Sequence, residues 1–226
     1  MTQRWETLTF LHWSYPVDVV HRLLPQGLQV DPFDGRAWVG LVPFRMTVGP
    51  AGIDSIPWFG QFLETNVRTY VRDRSGRPGL WFLSLDAAGL AAVVTARVSY
   101  RLPYFWSTMS LCSDGDLLRY ECVRRWPGAG ASSLVEVATG PAYDDGELDD
   151  RDVFLTARWR LFSHGANRLR YAEAHHQPWP LRRAELRRVD DGLLLAAGLP
   201  APSGSPLVHY SDGVRARIGP PHLVDR

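Results

Sequence analysis

The stretch GQFLETNVRTYV, residues 60–71, alternates with period two. Side chains of an extended chain point to opposite faces in turn. Phe62, Glu64, Asn66, Arg68 and Tyr70 therefore share one side, and Leu63, Thr65, Val67, Thr69 and Val71 the other. One face carries a carboxylate, an amide, a guanidinium and a phenol in a row, about 7 Å apart. By pattern alone this is either a strand with a wet outer face or one whose polar stripe lines a pocket. In the second case Arg68 needs a partner, because an isolated buried charge is costly, and Glu64 is the nearest candidate.

The segments around it are also strand-like. TLTFLHWSY (7–15), AWVGLVPFRMTV (37–48), FLETNVRTYVRD (62–73) and GLWFLSLD (79–86) are rich in β-branched and aromatic residues and bounded by Gly, Pro or Asp. Several are apolar on both faces, which belongs to a closed or sandwiched sheet. Further strands are predicted at 105–112, 116–126, 132–139, 167–176, 181–189 and 207–219. Helices are predicted in PVDVVHRLLPQG (16–27), in DAAGLAAVVTARVSYRLP (86–103) with Asp86 as a possible N-cap, at the start of DVFLTARWRLF, and at LLLAAGL. With no long linker and no internal repeat, residues 1–226 read as one mainly β (α+β) domain with a few helices.

Composition narrows the function classes. The chain is 45% hydrophobic and 22% charged, with a formal net charge of +1 and scattered arginines, so no nucleic-acid partner is expected. MTQRWETLTFLHW lacks signal-peptide architecture and no apolar run could span a bilayer, so a cytoplasmic protein without a membrane partner is expected. Cys112 and Cys122 lack metal or redox spacing, and adjacent His175 and His176 form no ligand motif, so no metal is expected. No GxGxxG or GxxxxGK motif occurs, so no nucleotide cofactor is expected, and no GxSxG elbow marks a serine nucleophile. Every one of the 25 basic residues is arginine. Schiff-base chemistry therefore has no side-chain amine to use in this chain.

Taken together, FLHWSYPVDVVHRLLPQGLQVDPFDGRAWVGLVPFRM, FLETNVRTYV, GRPGLWFLSLDA, YRLPYFWSTM and HHQPWPLRRA resemble the YqjF-like bacterial family of unknown function, related to acetoacetate decarboxylase. The resemblance covers nearly the whole chain. It implies a closed or cone-shaped antiparallel β-barrel with peripheral helices and a pocket in its interior. In acetoacetate decarboxylase a lysine pair after a Tyr-Pro step forms and tunes the Schiff base. The matching blocks put Leu102-Pro103 at that step, with Tyr104 and Phe105 where the lysines would stand, and Glu64 where a pocket glutamate falls. The resemblance thus implies a kept scaffold and acid without the amine, and it favours the pocket reading of residues 60–71.

On that basis Glu64 and Arg68 are the catalytic candidates, as proton-transfer group and as two-pronged anion or enolate anchor. Asn66, Tyr70, Tyr104, Trp106, His12 and His176 are substrate-binding candidates, Tyr104 and Trp106 as aromatic walls. A small-molecule enzyme of lyase, hydratase, isomerase or cyclase type, acting on a small organic acid or carbonyl compound, fits these groups. A non-catalytic binder of an apolar or aromatic molecule is the alternative. Sheet edges in such folds also make a homodimer an expectation.

Overall fold

Period-two alternation becomes strand structure along most of the chain. The computed structural model describes residues 1–49, 60–165 and 168–224. The first residue of the strand expected at 167–176 lies outside them. Chain order is β1 (Thr2–Tyr15), α1 (Val17–His21), β2 (Leu28–Val30), β3 (Ala37–Gly49), β4 (Gln61–Asp73), β5 (Pro78–Ala87), α2 (Leu90–Ser99), β6 (Tyr104–Asp114) and β7 (Leu117–Trp126). There follow β8 (Ser132–Ala142), α3 (Asp150–Thr156), β9 (Arg160–Gly165), β10 (Arg168–His176), β11 (Leu181–Asp191), α4 (Leu193–Ala196), β12 (Leu207–Ile218) and β13 (His222–Leu223).

The sheet closes because two strands divide their edges. β5 pairs with β4 along one edge, while its other edge meets β9 at Leu80 and Trp81 and then β6 at Leu85–Ala87. β12 likewise pairs with β1 on one side and with β11 and then β10 on the other. The circuit β5-β6-β7-β8-β11-β12-β1-β3-β4 is a closed nine-strand barrel with extra strands attached. A second circuit runs through β9 and β10, so the five strands β12-β1-β3-β4-β5 are common to both.

Those shared strands are buried on both faces, which is why their sequences read apolar on both sides. One face sends Leu11, Trp13, Val39, Leu41 and Val67 against Leu118, Tyr120, Val135 and Val137 of β7 and β8. The other sends Phe10, Val42, Phe44, Phe62, Tyr70 and Phe82 into a second core with Tyr104 and Leu155. A register shift opposite Val67 and Arg68 changes the parity of β5, so that Phe82 and Leu85 both join this second core.

Asp86 does not cap α2. It ends up inside β5, fully buried, where Arg124 grips it with Nε and Nη2 at 2.8 and 2.7 Å and Ser107 donates at 2.8 Å. Gly89 takes the N-cap position of α2 without a side-chain bond. α3 begins with a capping box instead, Asp149 and Asp152 each accepting from the other's backbone N–H. Among the described residues no helix is long and apolar enough to cross a membrane.

Candidate active site

The second core surrounds a cavity of about 330 Å³. β4 supplies Phe62, Glu64, Asn66 and Arg68 to its wall, the alternating set of the GQFLETNVRTYV stretch. α2 covers one side with Ala92, Ala96 and Thr95, and most of the remaining lining is apolar. The stripe is not rinsed by bulk water: Glu64 is 1% exposed, Asn66 6% and Arg68 8%.

Glu64 sits opposite Phe44 on β3 and Ala87 on β5. Burial pushes its carboxyl up to about 8, against the opposing effects of side-chain hydrogen bonds from Tyr104 and Asn66, while the Asp86 charge adds to the rise. Tyr104 Oη donates to Glu64 Oε2 at 3.0 Å. Asn66 Oδ1 is buried without a hydrogen-bond partner. At neutral pH Glu64 is thus mostly a neutral acid that can give a proton or donate a hydrogen bond.

The expected Glu64–Arg68 pair does not form. Two strand residues four apart are separated by about 13 Å at Cα with parallel side chains, which keeps the head groups apart. Arg68 stacks on Phe10 with Cζ 5.2 Å from the ring centroid, and Nη2 reaches Leu155 O at 3.5 Å. Its Nε is buried without a partner, and among the described residues it has no carboxylate.

His12 and Tyr70 lie outside the cavity lining, contrary to expectation, because α3 packs over them. Tyr70 Oη donates to Leu155 O at 2.6 Å and contacts His12 Nε2 at 2.7 Å. The phenol has one proton and spends it on Leu155, so His12 donates from Nε2 and its Nδ1 is the bare, unpartnered nitrogen. Burial first, then the Arg68 and His209 charges, hold His12 well below the usual imidazole range. The pair is a support beneath the wall.

Trp106 also falls outside the lining: one pleat beyond Tyr104 it has passed the cavity and is 37% exposed, next to a register shift at Ser107. Phe105 instead carries the Arg124 guanidinium, 3.5 Å above its ring. His176 does line the cavity. Its ring packs against Trp179 at 5.0 Å and Trp5 at 5.4 Å between centroids. Nδ1 donates to Gln177 O at 2.6 Å, which leaves Nε2 as an acceptor. Burial lowers its pKa against the Gln177 bond, and Arg68 lowers it further.

Sequence reading missed Arg158, Arg160, Trp5 and Trp179, all lining residues. In ARWRLF the two arginines alternate with Trp159 and Leu161, a strand signal that follows directly on a helix. Trp5 belongs to the first residues of β1, which starts five residues earlier than the sequence suggested. Among the described residues no group of three His, Cys, Asp or Glu side chains converges to hold a metal.

Comparison with known proteins agrees with this architecture. Uncharacterized protein YqjF of Bacillus subtilis (strain 168) is 34% identical over 212 residues, 93% of this chain and 87% of that protein. An acetoacetate decarboxylase-like enzyme from Sphingomonas wittichii RW1 superposes with a TM-score of 0.66 at 16% identity, over 99% of this chain and 92% of its own. The enduracididine biosynthesis enzyme MppR, complexed with the condensation product of pyruvate and imidazole 4-carboxaldehyde, superposes with a TM-score of 0.69 at 14% identity, over 98% and 88%. These two likenesses establish an acetoacetate decarboxylase-like fold. The family model DUF2071, "Uncharacterized conserved protein (COG2071)", matches residues 2–215, and the chain belongs to that family.

Proposed function

We propose that the chain is an enzyme acting on a small organic acid or carbonyl compound by proton transfer through Glu64, with Arg68 anchoring an anionic or enolate oxygen. The observation that carries this reading is a buried Glu64, its carboxyl pushed up by burial, on the wall of a mostly apolar cavity that also holds Arg68, which has no carboxylate partner among the described residues. A raised pKa of this kind suits a general acid near neutral pH. His176, also on the lining, keeps Nε2 as an acceptor, which supports a second proton-transfer group. Lyase, hydratase, isomerase and cyclase steps can each proceed by such transfers without an amine nucleophile. Tyr104 holds the Glu64 carboxyl in position.

A second reading, a non-catalytic binder of an aromatic molecule, draws on the Trp5–Trp179 stack beside His176. One experiment separates them. Small carboxylic and carbonyl compounds are screened by thermal shift, and each stabilising mixture is then followed by mass spectrometry. A new product that disappears with Glu64→Gln, while the compound still stabilises the variant, supports the enzyme. Recovery of every stabilising compound unchanged supports the binder.

A further inference from the structure

Two arginines of the cavity wall, Arg68 and Arg158, are incompletely matched by carboxylates among the described residues. They flank the same phenol. Both charges oppose the rise that burial imposes on the Tyr70 phenol, and Arg158 Cζ lies 5.4 Å from the Tyr70 ring centroid. Arg68 has no carboxylate among the described residues. Arg158 has a shared one: Asp31 Oδ2 accepts from Arg158 Nη2 at 3.1 Å, while its Oδ1 accepts from Arg72 Nε at 2.7 Å. One carboxylate thus serves two guanidiniums, and Arg72, itself half exposed to water, holds the shorter bond. The Nε atoms of Arg68 and Arg158 are both buried without a partner. Each guanidinium is stacked on a phenylalanine, Arg68 on Phe10 and Arg158 on Phe154 at 4.2 Å. Arg68 Nη2 reaches Leu155 O, and Arg158 Nη1 and Nη2 donate to Ala157 O and Asp31, so the remaining in-plane N–H groups are the ones open to an anion.

Among the described residues no other wall group compensates. Arg160 is matched by Glu173 at 3.3 Å. Glu64 is mostly neutral and stands four residues along β4 from Arg68. Arg158 is itself depressed, chiefly by burial, with Arg72 and Arg68 adding to the effect against Asp31. Two neighbouring cations in an apolar cavity are stabilised by an anion of matching charge.

We infer that the ligand of this cavity is a dianion, with one carboxylate on Arg68 and a second on Arg158. This rests on the reading of Arg68 as anchor and adds the second seat. It narrows the substrate class from small acids in general to dicarboxylates with an apolar body.

The test is calorimetric titration of the intact chain with three probes on one aromatic skeleton: 3-phenylpropanoate, benzylsuccinate and 2-phenylethyl phosphate. The expected result is that benzylsuccinate binds the unmodified protein about tenfold or more tighter than 3-phenylpropanoate. Arg158→Gln should erase that advantage and leave 3-phenylpropanoate unchanged. Arg158→Lys keeps a cation on Asp31 and should fall between, and thermal melts of both variants report on folding. The probe series on the unmodified protein decides the matter even if a variant fails to fold. Equal affinities for the two carboxylates, both weakened by Arg68→Gln, overturn the second seat and leave the anchor. A phosphate ester that alone outbinds the monocarboxylate also overturns the two-seat arrangement. Affinities untouched by Arg68→Gln, or no binding of any probe, overturn the anchor and the inference together.

Discussion

Tyr104 donates to Glu64 Oε2 at 3.0 Å, tying β6 to β4 across the cavity wall. That bond favours the carboxylate, yet burial outweighs it and holds Glu64 at about 8. The linkage has a definite sign. Between the ordinary value of 4.5 and about 8 the folded protein keeps a proton that the unfolded chain has lost. The Glu64 contribution to stability therefore falls as pH rises through this window, by at most about 5 kcal/mol, and is level outside it. Glu64→Gln cannot ionise and keeps an acceptor for Tyr104. Its melting temperature should exceed that of the unmodified protein by a margin that grows from pH 5 to pH 9. A constant margin across the range would place Glu64 near its ordinary acidity.

Tyr104→Phe isolates the phenol. Losing the donor removes a bond that favours the ionised form, so the Glu64 carboxyl should titrate at still higher pH. Carbon NMR of the labelled carboxyl reads the midpoint directly. Folding should weaken by only about 1 kcal/mol, since the ring stays packed. A midpoint that moves down instead would mean that Tyr104 stabilises the neutral acid.

Much of this site could be read from residues 60–71, and the reasons for the failures are physical. Period two is a local property, so the alternation of Glu64, Asn66 and Arg68 survives into the folded cavity. Which face is inside is not local, and it took the resemblance to favour a pocket. The same alternation already carried the spacing that separates Glu64 from Arg68, about 13 Å between Cα atoms, so the expected pair was doubtful on its own geometry. Trp106 was misjudged because sequence does not mark where a strand passes the rim of a cavity. His12 and Tyr70 were misjudged because α3, some 80 residues downstream of Tyr70, covers them. Arg158 joins the site only after β5 and β9 pair in parallel, a long-range event without a local signal.

The buried Asp86–Arg124 pair makes a different prediction, because it lies behind the cavity wall. Asp86 is wholly buried, with both oxygens engaged, and Arg124 is sandwiched on Phe105. Asp86→Ala leaves a buried guanidinium without its charge partner, which costs about 3–5 kcal/mol. The double variant Asp86→Leu/Arg124→Met removes both charges and should recover much of that loss, as read by urea denaturation. If the single variant costs less than about 1 kcal/mol, the pair is solvated. Asp86 also contributes to the raised value of Glu64, so its loss should lower the Glu64 midpoint in the same titration.

Gly213 tests how tightly the aromatic side of the cavity is built. It sits opposite Glu6 in the β1–β12 ladder with φ +132°, and a Cβ there would collide with the Trp5 carbonyl oxygen. Trp5 stacks on Trp179 at 5.8 Å and meets the edge of His176, so a push on its backbone reaches the cavity lining. Gly146, with φ +83° and nothing within 4 Å of an added Cβ, isolates the conformational cost alone. Gly146→Ala should lose about 1–2 kcal/mol from the left-handed backbone. Gly213→Ala adds a backbone collision worth roughly 1–3 kcal/mol more. It should also change the near-ultraviolet circular dichroism of the tryptophans, which Gly146→Ala leaves intact. Equal losses with an unchanged aromatic spectrum would show that β1 can shift away from Gly213 without disturbing Trp5.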